Sequence, residues 1–166
     1  NNKGVSQKFC SLMSSSPYLY KLMGLSFTRS VIDKKLNSEH KLWRAVVINA
    51  FDDTMITLSD RKSSVQKIEA HNWIIQESRD FREVCEWALL DPEEMREHYI
   101  SALKRKVIAF TKKQVRWAEY NRIYKALFYN INNNQKKLIR KRLDELRKEI
   151  HNTATTYTDS IILEAL

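Results

Sequence analysis

Segment 80–99, DFREVCEWALLDPEEMREHY, holds two helix starts close together. Asp80 is placed to accept a hydrogen bond from the amide three residues on, with Glu83 reaching back to the Asp80 amide. Asp91 repeats the arrangement with Glu94, and Pro92 takes the first helical position, where its missing N–H is no loss. Phe81, Val84, Cys85 and Ala88 recur at i, i+3, i+4 and i+7, and Met95, Tyr99, Ala102 and Leu103 form a second such face. The segment therefore predicts a short helix, a tight turn over 89–91 and a second helix packed on the first. That is the outline of a helix-turn-helix.

Reading outward, the pattern stays helical. Over 38–58, Trp43, Val46, Val47, Ala50, Phe51 and Leu58 fall in one apolar stripe, with Lys41, Arg44, Asp52 and Asp53 mostly off it. Ser63 with Gln66 reads as a capping box for a helix to about residue 76, whose apolar residues Val65, Ile68, Trp73, Ile74 and Ile75 spread widely around it. Thr111 with Gln114 opens another helix, with Trp117, Tyr120, Tyr124 and Phe128 on one side. Residues 130–134 read as an Asn-rich turn. A helix over 135–150 follows, with the narrow seam Ile139, Leu143, Leu146 and Ile150 and with opposite-charge pairs Arg140–Asp144, Lys141–Glu145 and Asp144–Lys148. Residues 1–16 read as a polar arm, 17–23 and 28–36 as short helices, 152–158 as a polar break and 160–166 as a final apolar turn.

Composition agrees. Two Gly and two Pro in 166 residues are too few for an all-β chain, while 43% apolar residues suffice for a core. There is no GxGxxG or GxxxxGK[ST], which argues against the usual nucleotide enzymes. The two cysteines, Cys10 and Cys85, do not make a disulfide framework, and Cys85 on an apolar face reads as a buried thiol. A cytoplasmic location, no membrane association, no metal and no cofactor are expected.

The charge is uneven. The chain carries a net +9, and residues 104–149 alone hold 15 Lys/Arg against 4 Asp/Glu, a net +11. A basic C-terminal half on a near-neutral body is the electrostatic footprint of a polyanion partner. The aromatic stripe beside Lys112, Arg116, Arg122 and Lys125 is open to two readings: base stacking on single strands, or a core stripe with snorkelling basic edges. The second is the simpler.

Residues 42–99 also resemble a set of small helical proteins of bacteriophages and prophages, familiar in alphaproteobacteria. The resemblance rests on Leu42-Trp43-Arg44-Ala45-Val46, on Trp73, on Asp80-Phe81-Arg82-x-Val84-Cys85-Glu86, on Leu90-Asp91-Pro92-Glu93 and on Arg96. It implies a helical domain akin to DNA-binding helix-turn-helix modules and implies no activity. Where that set has Gly before Leu-Asp-Pro, this chain has Leu89.

The expectation is an all-α protein: an N-terminal arm over 1–37, a compact body over 38–106 with a helix-turn-helix-like centre at 80–106, a basic antiparallel helical hairpin over 111–150 and a tail over 151–166. Its expected function is non-enzymatic nucleic-acid binding, to DNA rather than RNA, of regulatory or phage-related type. The candidate contacts are Arg96, Lys104, Arg105, Lys106, Lys112, Lys113, Arg116, Arg122, Lys125, Lys136, Lys137, Arg140 and Lys141. The competing expectation is a helical interaction or scaffold protein that forms a homodimer or binds a protein partner through the 139–150 seam and the tail.

Overall fold

A computed structural model describes Gly24, residues 35–129 and residues 131–166. The expected polar arm, the first short helix and most of the second lie outside them. The described residues are all helical in architecture, with helices α1 (Ser38–Thr54), α2 (Arg61–Ile75), α3 (Arg79–Trp87), α4 (Pro92–Lys104), α5 (Lys112–Ala126) and α6 (Asn133–Asn152). None is long and apolar enough to cross a membrane.

Caps set the helix starts. Asp91 accepts from the amides of Glu93 and Glu94 at 2.9 and 3.3 Å. Thr111 and Gln114 form both bonds of a capping box, at 3.1 and 3.0 Å. Asn132 and Gln135 form another, so α6 begins two residues before the expected start. Two expected caps are displaced. Ser78, not Asp80, caps α3 by accepting from the Phe81 amide at 3.1 Å, and Asp80 instead accepts from the Trp73 indole at 2.6 Å. Asp60, not Ser63, caps α2, and Gln66 donates to Asp53 across to α1. Asp60 and Ser78 also leave room for an added N-terminal turn, which satisfies more backbone.

One apolar cluster joins α1 to α4 and the start of α5, with Val47, Phe51, Phe81, Cys85, Tyr99, Leu103 and Phe110 at its centre. Phe51 meets the Tyr99 ring edge-on at 5.8 Å. Burial pushes the Cys85 thiol up to about 12, helped by the carboxylates of Asp91, Glu86 and Glu93, so it stays a neutral core group. Of the expected α1 stripe, Val47 and Phe51 are buried, whereas Val46 and Leu58 are exposed.

Arg44, expected on the solvent side, is only 6% exposed. Its guanidinium donates to the carbonyls of Ala88 at 2.8 Å and Leu89 at 3.3 Å. These are carbonyls at the C-terminal end of α3, where the helix supplies no donors of its own. The cation therefore sits where the helix dipole is negative and fixes the turn into α4.

That turn is left-handed at Leu89, with φ +54°. An L-residue there is strained by ~1–2 kcal/mol, and the Leu89 side chain is largely exposed. Leu89→Gly is therefore expected to stabilise the chain by about 0.5–1 kcal/mol after the added flexibility of the unfolded glycine is discounted. Urea denaturation checks this; a lowered midpoint would contradict it.

Polar side chains inside the body tie loops together. Lys67, 2% exposed, donates to the carbonyls of Ile56 at 2.8 Å and Ala109 at 2.6 Å, with Phe110 beneath its ammonium. Burial brings its pKa down to about 8. Gln114 donates to the carbonyls of Ile56 and Leu58. Through these bonds the start of α5 is seated against the α1–α2 loop.

The tail also docks. The expected polar break pairs with the chain before α5: the Lys112 amide donates to Thr156 at 2.9 Å and the Thr158 amide to Phe110 at 2.8 Å. Farther on, His71 Nε2 donates to the Glu164 carbonyl at 2.9 Å, which leaves Nδ1 to accept from the Tyr99 hydroxyl at 2.7 Å. Asn72 makes both an acceptor and a donor bond to the Leu166 backbone. Ile162 and Leu166 pack on the main core.

Candidate nucleic-acid interface

Helices α5 and α6 form an antiparallel pair around a second, smaller cluster of Tyr120, Leu143, Leu146 and Ile150, with Trp117, Tyr124, Leu127 and Ile139 at its margin. The 139–150 seam is thus covered by α5 of the same chain. Two arginines brace the cluster: Arg147 donates to the Tyr120 hydroxyl at 3.0 Å, and Arg61 of α2 lies over the Tyr120 and Tyr124 rings at 5.0 and 5.1 Å. The sequence reads Arg61 as part of a loop over 59–63, whereas it is the first residue of α2. No local pattern marks it, because its partners lie some sixty positions away.

The expected contact residues fall into separate groups. Arg96 is set apart from the hairpin. Its Nε donates to the Ile75 carbonyl at 3.2 Å and lies 3.4 Å from Glu77, so it fastens α4 to the end of α2. Around it on α4, Glu93, Glu94 and Glu97 are exposed. Lys104, Arg105 and Lys106 are exposed at the C-terminal end of α4, where cations complement the dipole. Arg105 Nε also donates back to the Ser101 carbonyl at 3.4 Å.

On α5, Lys112, Arg116 and Arg122 share one face with Glu119 and, with Thr158, Ala165 and Leu166 of the tail, line an open pocket of about 510 Å³. Lys113 is half-buried beside them. Arg116 is bound to Glu119 at 3.1 Å and Glu149 at 3.7 Å. Lys125 is bound to Glu69 at 3.1 Å. On α6, Lys137, Arg140 and Lys141 are exposed and Lys136 is half-buried.

Ion pairing sorts the charge along the hairpin. Arg142 holds Glu119 at 3.2 Å, Glu149 at 3.1 Å and Glu145 at 3.7 Å, while Arg147 holds Asp144 at 3.4 Å. These replace the i,i+4 pairs expected from spacing. Every carboxylate of the basic half is therefore spent on Arg116, Arg142 or Arg147, away from where α5 ends and α6 begins. Between Glu119 and Asp144 the sequence has no acidic residue. Among the described residues, Arg122, Lys136, Lys137, Arg140 and Lys141 make no ion pair. Lys137, Arg140 and Lys141 lie exposed on α6, with Lys136 half-buried beside them, whereas Arg122 lies on the α5 face that carries Arg116 and Glu119.

The aromatic stripe divides. Tyr120 is fully buried and Trp117 and Tyr124 are half-buried, as a core stripe requires, but Phe128 lies beyond the end of α5 and is 76% exposed. Tyr129 beside it, at 72%, was not singled out by periodicity. Among the described residues no group of three His, Cys, Asp or Glu side chains is placed to hold a metal ion.

No protein-family model, curated protein or solved structure matches the chain.

Proposed function

We propose that this is a non-enzymatic nucleic-acid-binding protein, of regulatory or phage-related type, that grips phosphates with the turn end of its basic hairpin. One observation carries the reading: α6 presents Lys136, Lys137, Arg140 and Lys141 without an ion pair, and Arg122 on α5 is likewise unpaired with an acid, while Glu119, Asp144, Glu145 and Glu149 are held by Arg116, Arg142 and Arg147. Clustered cations on one surface are what counterion release from a polyphosphate exploits. DNA is the partner proposed first.

The reading places the phosphate contacts on the hairpin and not on α4. In a helix-turn-helix the front of the second helix enters the groove, but here that front is acidic and its one arginine is turned to Ile75 and Glu77. The rival reading, a partner or second copy bound through the 139–150 seam and the tail, is less favoured because α5 covers the seam and Ile162 and Leu166 pack on the core, which leaves Ile161 and Leu163 of the tail exposed.

The test is Lys137→Gln/Arg140→Gln/Lys141→Gln. All three side chains are exposed, so the variant is expected to keep its thermal midpoint. Its affinity for duplexes of unrelated sequence should fall together, by on the order of 100-fold near 0.1 M salt, and its log–log salt slope should shrink by about 3. Unchanged affinity would contradict the proposal, and loss confined to one sequence would point to base readout instead.

A further inference from the structure

The turn end of the hairpin carries more than charge. Phe128 and Tyr129 are adjacent and about three-quarters exposed, and Leu138, on the first turns of α6, is 68% exposed. Leu127 and Ile139 pack into the same cluster, so these turns lie side by side. Single exposed apolar residues are ordinary. Two consecutive exposed aromatic residues, in a stretch with no acidic residue between Glu119 and Asp144, are a feature to be explained.

The Phe128 ring is also held. Amides of Leu127, Phe128 and Tyr129 donate in succession to the carbonyls of Tyr124, Lys125 and Ala126, at 3.1, 3.1 and 3.3 Å, winding the chain into a tight last turn. Phe128 meets the edge of Tyr124 at 5.5 Å, Tyr124 stacks on Tyr120 at 6.2 Å, and Tyr120 meets Trp117 at 5.3 Å. A row of four rings therefore runs from half-buried Trp117 through Tyr120 and Tyr124, which lie under Arg61, and emerges into solvent at Phe128. A ring ordered before binding loses less entropy on contact than a free one.

The geometry points to Phe128 and Tyr129 as a stacking platform for unpaired bases, with Arg122, Lys136, Lys137, Arg140 and Lys141 tracking the phosphates on either side. The ligand is thus a single strand. This rests on the nucleic-acid reading above and narrows it. In a duplex the base faces are hidden and the rings would meet only the sugar–phosphate edge; in a single strand every base offers a face, whatever its identity. Charge complementarity selects the polyanion, and the exposed rings select its unpaired form.

The experiment compares a labelled 20-nucleotide strand of mixed sequence, as DNA and as RNA, with the matching duplex, by anisotropy at constant salt. Vesicles of mixed phosphatidylserine and phosphatidylcholine form a further arm. The chain is tested whole, as wild type, as Phe128→Ala/Tyr129→Ala and as Phe128→Leu/Tyr129→Leu. Both variants should melt as the wild type does, because the rings are exposed. Wild type should prefer the strand over the duplex by tenfold or more. Both variants should lose about tenfold or more on the strand and little on the duplex, since leucine restores apolar area but no flat face. Equal binding of strand and duplex, with neither variant changing it, overturns the platform and leaves the phosphate reading standing. No binding to any nucleic acid overturns both. Vesicle binding that the leucine variant keeps, without strand binding, overturns them in favour of a membrane surface.

Discussion

Tyr120→Ala is expected to lower stability by about 3–5 kcal/mol, the range for deleting a large buried ring. Tyr120 is completely buried at the centre of a cluster whose other buried members, Leu143, Leu146 and Ile150, all come from α6. Removing it takes away the surface on which α6 rests, together with the ring beneath Arg61 and Arg147. A cluster this small has few neighbours with which to collapse into the space. The loss should be seen in urea denaturation, and α6 amides should exchange with solvent before those of α1 and α2. Tyr120→Phe keeps the ring and gives up the bond from Arg147, which is partly exposed, so its effect should stay near 1 kcal/mol. An alanine variant as stable as the phenylalanine one would mean that α6 is held by something other than this cluster. Because α6 carries Lys136, Lys137, Arg140 and Lys141, the same substitution should also weaken nucleic-acid binding without touching a cation.

Arg44→Ala should cost about 2–4 kcal/mol, more than any exposed arginine. Its guanidinium donates to the carbonyls of Ala88 and Leu89, next to the left-handed turn. Deleting the guanidinium leaves those carbonyls short of donors in a buried place and removes packed methylenes as well. Arg44→Lys should recover only part of the loss, because an ammonium cannot reproduce the planar fork that reaches both carbonyls. Denaturation midpoints of the three chains check the order, wild type above Lys above Ala. An alanine variant within about 0.5 kcal/mol of wild type would contradict the role assigned to Arg44.

Local chemistry was legible in the sequence; long-range pairing was not. The N-caps at Asp91 and Thr111 are read correctly because each is settled within four residues, although the full capping box forms at Thr111 and only the Asp91 side-chain half of it at the start of α4. The caps at Asp60 and Ser78 are misread because a second candidate, Ser63 or Asp80, stands two or three residues on, and only the extra turn decides between them. The placement of Arg44 off the apolar stripe follows the helix period, but its partners lie more than forty residues away. Phe128 keeps the period of Trp117, Tyr120 and Tyr124, yet α5 ends at Ala126, and the seam of α6 is fully buried only from Leu143 onward. Periodicity cannot see where a packing partner stops. The same holds for charge. The excess of cations over 104–149 is plain in the sequence, whereas their division into paired and unpaired groups depends on how α5 and α6 face each other. The tail shows it again: its polar residues look like a break, and they dock because Phe110, Lys112, His71 and Asn72 offer partners.

The most direct test of the central claim is the salt dependence of wild-type binding to a generic nucleic acid, measured by anisotropy from about 50 to 300 mM monovalent salt. If unpaired hairpin cations grip phosphates, log Kd against log salt should be linear with a slope of about 3 to 5, as expected for four or five displaced counterions. No binding at ~50 mM salt, or binding that salt leaves unchanged, would contradict it.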